Sequence, residues 1–246
     1  MVSKSRCATG IEILDTDLQG GIPCGNIVLV SGASGVGKTT FCMQFLIDGV
    51  KKGEKGVFFT ATEPVSKIKK YQGVYDFFDE KLIKSGDLTI IDLWHISDKL
   101  GLDPASYTSE EANILFEVIR DIVKEIGAKR LIIDSITSLC YRLKSREMIR
   151  DFIFKLGSSL TILNCTTLLT SEVHPMVFQF SQYEIEEFIA DGIIFLSDLE
   201  RRGDLIRTFQ VVKMRGTSHS RTKYVLTMSS KNGVDLAPLL QTKIKS

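Results

Sequence analysis

The run Gly32, Ala33, Ser34, Gly35, Val36, Gly37, Lys38, Thr39 constrains this chain more than any other, because it fits G-x-x-x-x-G-K-[ST] between an apolar run and a stretch of helical period. Asn26 to Ser31 (NIVLVS) reads as a buried strand, and Lys38 to about Lys52 as a helix that Gly53 ends. Strand, glycine loop and helix in that order make a phosphate cradle. The glycines let the backbone curl until its N–H groups converge, and the helix adds its positive end. Lys38 supplies a charge for the β- and γ-phosphates, Thr39 a hydroxyl for Mg²⁺, and Thr40 completes the candidate nucleotide set. ATP with Mg²⁺ is the expected ligand.

The remainder of the chain alternates apolar runs with helical stretches, the pattern of a mainly parallel sheet flanked by helices. Gly56 to Thr60, Leu88 to Asp92, Arg130 to Asp134, Thr166 to Ser171 and Gly192 to Ser197 read as further strands. Ser109 to Ile126 reads as an amphipathic helix capped by Ser109, and Ser145 to Leu156 as another helix. Trp94 to Tyr107 is irregular and reads as a surface loop. After Asp204 the period changes. Leu205 to Lys213 and Lys223 to Met228 follow without a helix between them, so an antiparallel C-terminal portion is expected.

With 246 residues, 43% hydrophobic and 25% charged, one α/β domain over 1–246 with a short tail from about 241 is expected. The net charge of +1 gives no whole-chain basic excess for nucleic acid. Five cysteines (Cys7, Cys24, Cys42, Cys140 and Cys165) form no C-x-x-C pair, which argues against a zinc site or a disulfide framework. Met1 to Thr9 lacks a signal-peptide core and no apolar run approaches ~18 residues, so a soluble, cytoplasmic protein without membrane insertion is expected.

Mg²⁺ bound beside phosphates also takes a strand-end carboxylate, and Asp134 after Leu131, Ile132 and Ile133 fits. An Asp before Ser also caps turns; next to the glycine loop the metal reading prevails. Hydrolysis needs a group that orients or deprotonates water. Glu63, beyond the second strand and ahead of Pro64, is the first candidate, and Glu172 after the strand Thr166 to Ser171 the second. Glu63 equally suits a helix start.

Several landmarks occur in one order: Thr9-Gly10-Ile11, Gly20-Gly21-Ile22-Pro23, the glycine loop, Ile132-Ile133-Asp134-Ser135, Glu186 to Asp191 (EEFIAD), and Lys213 to His219 (KMRGTSH). Together they resemble the KaiC-like branch of the RecA superfamily of P-loop ATPases along nearly the whole chain. The resemblance implies a RecA-like fold, ATP at the boundary between neighbouring subunits, and a homo-hexameric ring. It implies that Lys213 and Arg215 reach the next subunit's γ-phosphate, with Thr217, His219 and Arg221 near the nucleotide. Lys38, Glu63 and Arg215 then form the candidate catalytic set.

Three features depart from that pattern. The clock proteins of that branch carry two RecA-like domains, and this chain has length for one. Thr60-Ala61-Thr62-Glu63-Pro64 puts Thr62 where the family often has the first of two glutamates, which points to slow or absent hydrolysis. Phe180 to Glu187 resembles the non-phosphorylated first domain, so autokinase activity is disfavoured. The expected function is a slow Mg-dependent ATPase whose nucleotide state sets affinity for an unknown protein partner. The alternatives are an ATP-ordered scaffold without hydrolysis, and a DNA-binding paralogue. The last draws on seven basic against three acidic residues between Asp198 and Lys223, without an aromatic stacking platform.

Overall fold

A computed structural model describes residues 5–103, 105–175 and 179–239; the tail expected from about 241 lies outside them. In chain order the elements are β1 (Arg6–Cys7), α1 (Glu12–Asp17), β2 (Ile22–Pro23), β3 (Ile27–Gly32), α2 (Lys38–Lys51) and β4 (Gly56–Thr60). Next come α3 (Val65–Gln72), α4 (Lys81–Lys84), β5 (Leu88–Asp92), α5 (Leu93–Leu100), α6 (Ser109–Ile126), β6 (Arg130–Asp134) and α7 (Ile136–Cys140). The chain continues with α8 (Arg146–Leu163), β7 (Thr166–Glu172), α9 (Glu186–Ile189), β8 (Gly192–Arg201), β9 (Asp204–Met214), β10 (Tyr224–Ser229) and β11 (Gly233–Pro238).

Nine strands form one sheet in the order β11-β10-β9-β8-β3-β7-β6-β4-β5. Every pair from β8 through β3 to β5 is parallel, and every pair from β8 to β11 is antiparallel. Strands β3, β4 and β6, inside the parallel part of the sheet, are buried on both faces, hence their near-continuous apolar runs. One core packs α1, α2 and Ile68 of α3 against the side chains of Val28, Phe58, Ile132 and Leu168. The other packs α5 to α8 against Leu29, Phe59, Ile133 and Leu169. The expected fold class is therefore the observed one, an α/β RecA-like sheet with an antiparallel C-terminal portion.

Register decides where chemistry can occur. Gly32 pairs with Glu172 and Thr60 with Asp134, so the carboxyl ends of β3, β7, β4 and β6 finish side by side. In open α/β sheets this edge is where ligands bind.

Four sequence expectations are corrected. The cap of α6 is Thr108, not Ser109: its hydroxyl accepts from Glu111 N–H while the Glu111 carboxylate accepts from Thr108 N–H, a capping box. Helix α8 runs past Leu156 to Leu163, because Leu160 is still core and Gly157 lets Ile189 approach until an added Cβ would stand 2.7 Å from it. The segment Trp94 to Tyr107 is not a loop throughout: Asp92 caps α5, and Tyr107 is buried with its hydroxyl 2.8 Å from Ser97 Oγ. Strand β8 extends to Arg201, pairing with β9 as far as Asp204. Strands β1, β2 and β11 were not expected, and β11 is tied down by Gln44 of α2, whose amide exchanges hydrogen bonds with Val234 N–H and C=O.

Candidate functional site

At the carboxyl edge Gly32 and Gly37 adopt positive φ, at 155° and 107°, and Gly37 lies just before the first residue of α2. Gly32 has a further reason to lack a side chain, since a Cβ there would stand 2.2 Å from Leu196 O. Lys38 opens α2 and is 7% exposed; its Nζ donates to Gly32 O at 2.7 Å and to Ala33 O at 2.8 Å. An ammonium has three donors, so the loop holds it with one left to aim outward. Burial pushes its pKa below 10.5, opposed by the charges of Glu172 and Asp134.

Thr39 Oγ1 donates to Asp134 Oδ2 at 2.7 Å, and Thr170 Oγ1 donates to Asp134 Oδ1 at 2.6 Å. Both oxygens of one buried carboxylate are thereby fixed. Burial raises the Asp134 pKa, while the two hydroxyls and Lys38 hold it down. Among the described residues no group of three or more His, Cys, Asp or Glu could cage a metal. Mg²⁺ does not need one: it keeps water and takes one or two protein oxygens plus phosphate oxygens, a set that Thr39 and Asp134 fit.

Glu63 and Thr62 follow β4 and line the same cleft, of about 430 Å³, as does Glu172 at the end of β7. The turn is shaped by Thr60, whose hydroxyl accepts from Glu63 N–H and donates to Glu63 O. Ala61 N–H donates to Asp134 O, which ties this turn to β6. Glu63 is paired with Lys67 one turn on, at 2.7 Å, and both side chains keep substantial exposure. Thr170 and Ser171 diverge: Thr170 holds Asp134, whereas Ser171 Oγ donates to the fully buried Glu186.

The second group of candidates lies elsewhere. Asp191 N–H donates to Ile27 O at the start of β3, and Arg215 N–H donates to Asp191 O. Arg215 also pairs with Asp191 Oδ1 at 3.4 Å, while Lys213 Nζ donates to the carbonyls of Ala190 and Glu187. From Ile27 to Gly32 the strand rises roughly 16 Å, so Lys213 and Arg215 sit at the opposite end of the sheet from their own Lys38. Thr217 Oγ1 accepts from Arg6, the His219 ring contacts Ser220 O, and Arg221 C=O accepts from Gln210. One chain brings together Gly32 to Thr40, Glu63 and Asp134, and leaves Lys213, Arg215, Thr217, His219 and Arg221 apart from them.

Sequence reasoning passed over the other end of the cleft, where Ile68, Tyr71, Gln72, Tyr75 and Met228 line the wall. No motif marks these residues. The one available signal was the short helical period from Val65 to Gln72 directly after Glu63. Arg207, one of the seven basic residues between Asp198 and Lys223, donates through its Nε to Gly35 O at 3.4 Å.

The ATPase family KaiC matches residues 7–241. The circadian clock oscillator protein KaiC of Parathermosynechococcus lividus is 33% identical over 235 residues, 94% of this chain but 42% of its own length. This chain thus spans less than half of that clock protein. A UPF0273 protein of Thermotoga maritima is 36% identical over 95% of this chain and 96% of its own. A KaiC-like protein of Pyrococcus horikoshii superposes with a TM-score of 0.83 at 35% identity, covering 95% of this chain and 99% of that one. The chain belongs to the KaiC family of P-loop ATPases and is an ATP-binding protein with a RecA-like fold.

Proposed function

We propose that this chain is a single-domain, Mg²⁺-dependent ATPase that works slowly at the interfaces of a head-to-tail ring of six copies and presents a nucleotide-dependent surface to a protein partner. The observation that carries this reading is the separation of its two phosphate-seeking groups. Lys38, Thr39 and Asp134 form one set at the carboxyl edge, and Lys213 and Arg215 stand at the other end of the same sheet. An arginine half exposed at 60% and too distant for its own loop suits the γ-phosphate of a neighbour, where a planar charged fork stabilises developing charge.

Within this reading Lys38 and the loop N–H groups bind the triphosphate, and Thr39 and Asp134 hold Mg²⁺. The metal, when bound, screens the phosphate charges. Glu63 orients and deprotonates the attacking water, for which it leaves its exposed pairing with Lys67. Thr62 beside it brings a hydroxyl where a second carboxylate would help, which supports slow turnover. The same Thr62 favours a second reading, an assembly scaffold in which ATP binds and is not hydrolysed. DNA binding is the less favoured reading: Arg201 at the β8–β9 tip and Lys213 near the other end of β9 lie far apart along the hairpin, so the basic residues form no single cluster.

Size-exclusion chromatography with and without ATP and Mg²⁺, with phosphate release followed on the same sample, tests both readings. Nucleotide-dependent assembly with release supports the ATPase, and assembly without release supports the scaffold. A monomer in every condition overturns the ring.

A further inference from the structure

The connection from β9 to β10 carries Arg215, Thr217, His219 and Arg221, and it has no helix or strand of its own to hold its shape. Its support comes from the other end of the chain. The ribbon β1–β2 pairs Arg6 with Pro23 and Cys7 with Ile22, and strand alternation sends the two β1 side chains to opposite faces. Cys7 is buried, with its Sγ 3.1 Å from the hydroxyl of Thr166, the first residue of β7. That contact places the ribbon at the amino end of the sheet, the end where Arg215 sits. Gly21 permits the close fit, since a Cβ there would stand 2.2 Å from Cys7 O.

Arg6, on the other face of β1, reaches the connection. Its Nη1 donates to Thr217 Oγ1 at 2.5 Å and to Gly21 O at 3.3 Å, and its Nη2 donates to Gly216 O at 3.4 Å. One planar fork thus ties two consecutive residues of the connection to the ribbon. Asp17, the last residue of α1, adds a second tie by accepting from Ser220 N–H at 2.8 Å. The bond to Thr217 has a direction with a consequence. Because the hydroxyl accepts from a permanent cation, its own O–H is still available to donate. A polarised donor two residues from Arg215 suits a phosphate oxygen.

We infer that Arg6 is a positioning residue for the neighbouring subunit's site, presenting the Thr217 hydroxyl as a donor and holding Gly216 beside Arg215. The inference rests on the reading that Arg215 and the residues after it complete the site of the next subunit. A group that merely supports the fold matters in every subunit that contains it. A positioning residue matters only in the subunit that supplies Arg215 and Thr217, and because each interface draws on two copies the two roles can be separated.

The test uses equimolar mixtures of full-length chains in which Arg215→Ala subunits supply Lys38 and Lys38→Ala subunits supply Arg215 and Thr217. Arg6→Gln is added to one kind of chain at a time, and phosphate release is followed at saturating ATP with subunit exchange verified. Placed in the Lys38→Ala chain, it is expected to lower the recovered kcat about tenfold or more, the loss typical of hydrogen bonds to a charged group. Placed in the Arg215→Ala chain, it is expected to leave the recovered rate unchanged. Equal falls in both mixtures, a fall confined to the second, or no fall in either overturns the inference. Where Arg6→Gln does not fold, Arg6→Lys takes its place in both mixtures, since one ammonium lacks the fork that spans Gly216 and Thr217. A parent mixture that recovers no activity overturns instead the placement of Arg215 in the neighbour's site, and the inference falls with it.

Discussion

Lys38 shows how a single residue can be made ready for charge before a ligand arrives. Its burial disfavours the ammonium, two carbonyls hold it in place, and the polyanion it is meant to meet favours it again. The sign follows. The free protein's Lys38 titrates below 10.5, phosphate raises it on binding, and so ATP binding should take up a proton on the alkaline side and weaken as pH climbs toward 10.5. Calorimetry near pH 9 in two buffers of different ionisation enthalpy reads that proton, and a heat independent of buffer would refute it. Glu63 is tested differently. Glu63→Gln keeps size and hydrogen bonding but loses the base, so turnover should fall about a hundredfold or more with ATP affinity little changed. Equal turnover would pass the role to Glu172, which lines the same cleft. The phosphate side of the site was legible in the sequence because backbone curvature demands glycines at fixed spacing, and Asp134 ends a strand whose neighbour is implied by the fold. Gln72 and Met228 were not legible. They line one cleft only because the loop after α3 reaches the β10–β11 turn, where Asp76 N–H donates to Ser230 O, and neither carries a local pattern.

Helices and strands differ in how openly the sequence declares them. Strands β4 and β6 match their expected limits because both faces are buried and the apolar run has no gaps, and the edge strand β5, half-buried from Thr89 to Ile91, matches its limits too. Helix α5 was hidden because its eight residues show only Leu93, Ile96 and Ser97 to the core, too few for a period to stand out. Helix α8 was read short because Gly157 and Ser158 interrupt the pattern, although a glycine is what the packing requires there. Two effects of opposite sign meet at that glycine. Alanine gains about 1 kcal/mol of helix propensity, yet its Cβ would lie 2.7 Å and 2.8 Å from Ile189 atoms in α9. Because overpacking costs about 1–3 kcal/mol, Gly157→Ala should destabilise on balance, and Ile189→Ala in the same chain should recover part of the loss. Urea unfolding midpoints measure both variants; a higher midpoint for Gly157→Ala would mean that α9 yields freely.

At the scale of the whole molecule, the two ends of one sheet must be joined by a second copy if Arg215 is to act on ATP. Strands β8 and β9 are rigidly paired along their length, so no rotation of a side chain carries Arg215 across the roughly 16 Å from the level of Ile27 to that of Gly32. A head-to-tail arrangement solves this by using each subunit twice, once for Lys38 and once for Arg215. Lys38→Ala and Arg215→Ala should then each hydrolyse ATP poorly alone. In an equimolar mixture, an interface is intact when an Arg215→Ala subunit supplies Lys38 and a Lys38→Ala subunit supplies Arg215. Each choice has a chance of about one half, so roughly a quarter of interfaces should be competent after random exchange. Phosphate release should reappear in the mixture. Exchange is verified separately by fluorescence transfer between labelled subunits in the presence of ATP. With exchange verified, release that stays at the level of the separate variants would show that Arg215 does not complete a neighbour's site.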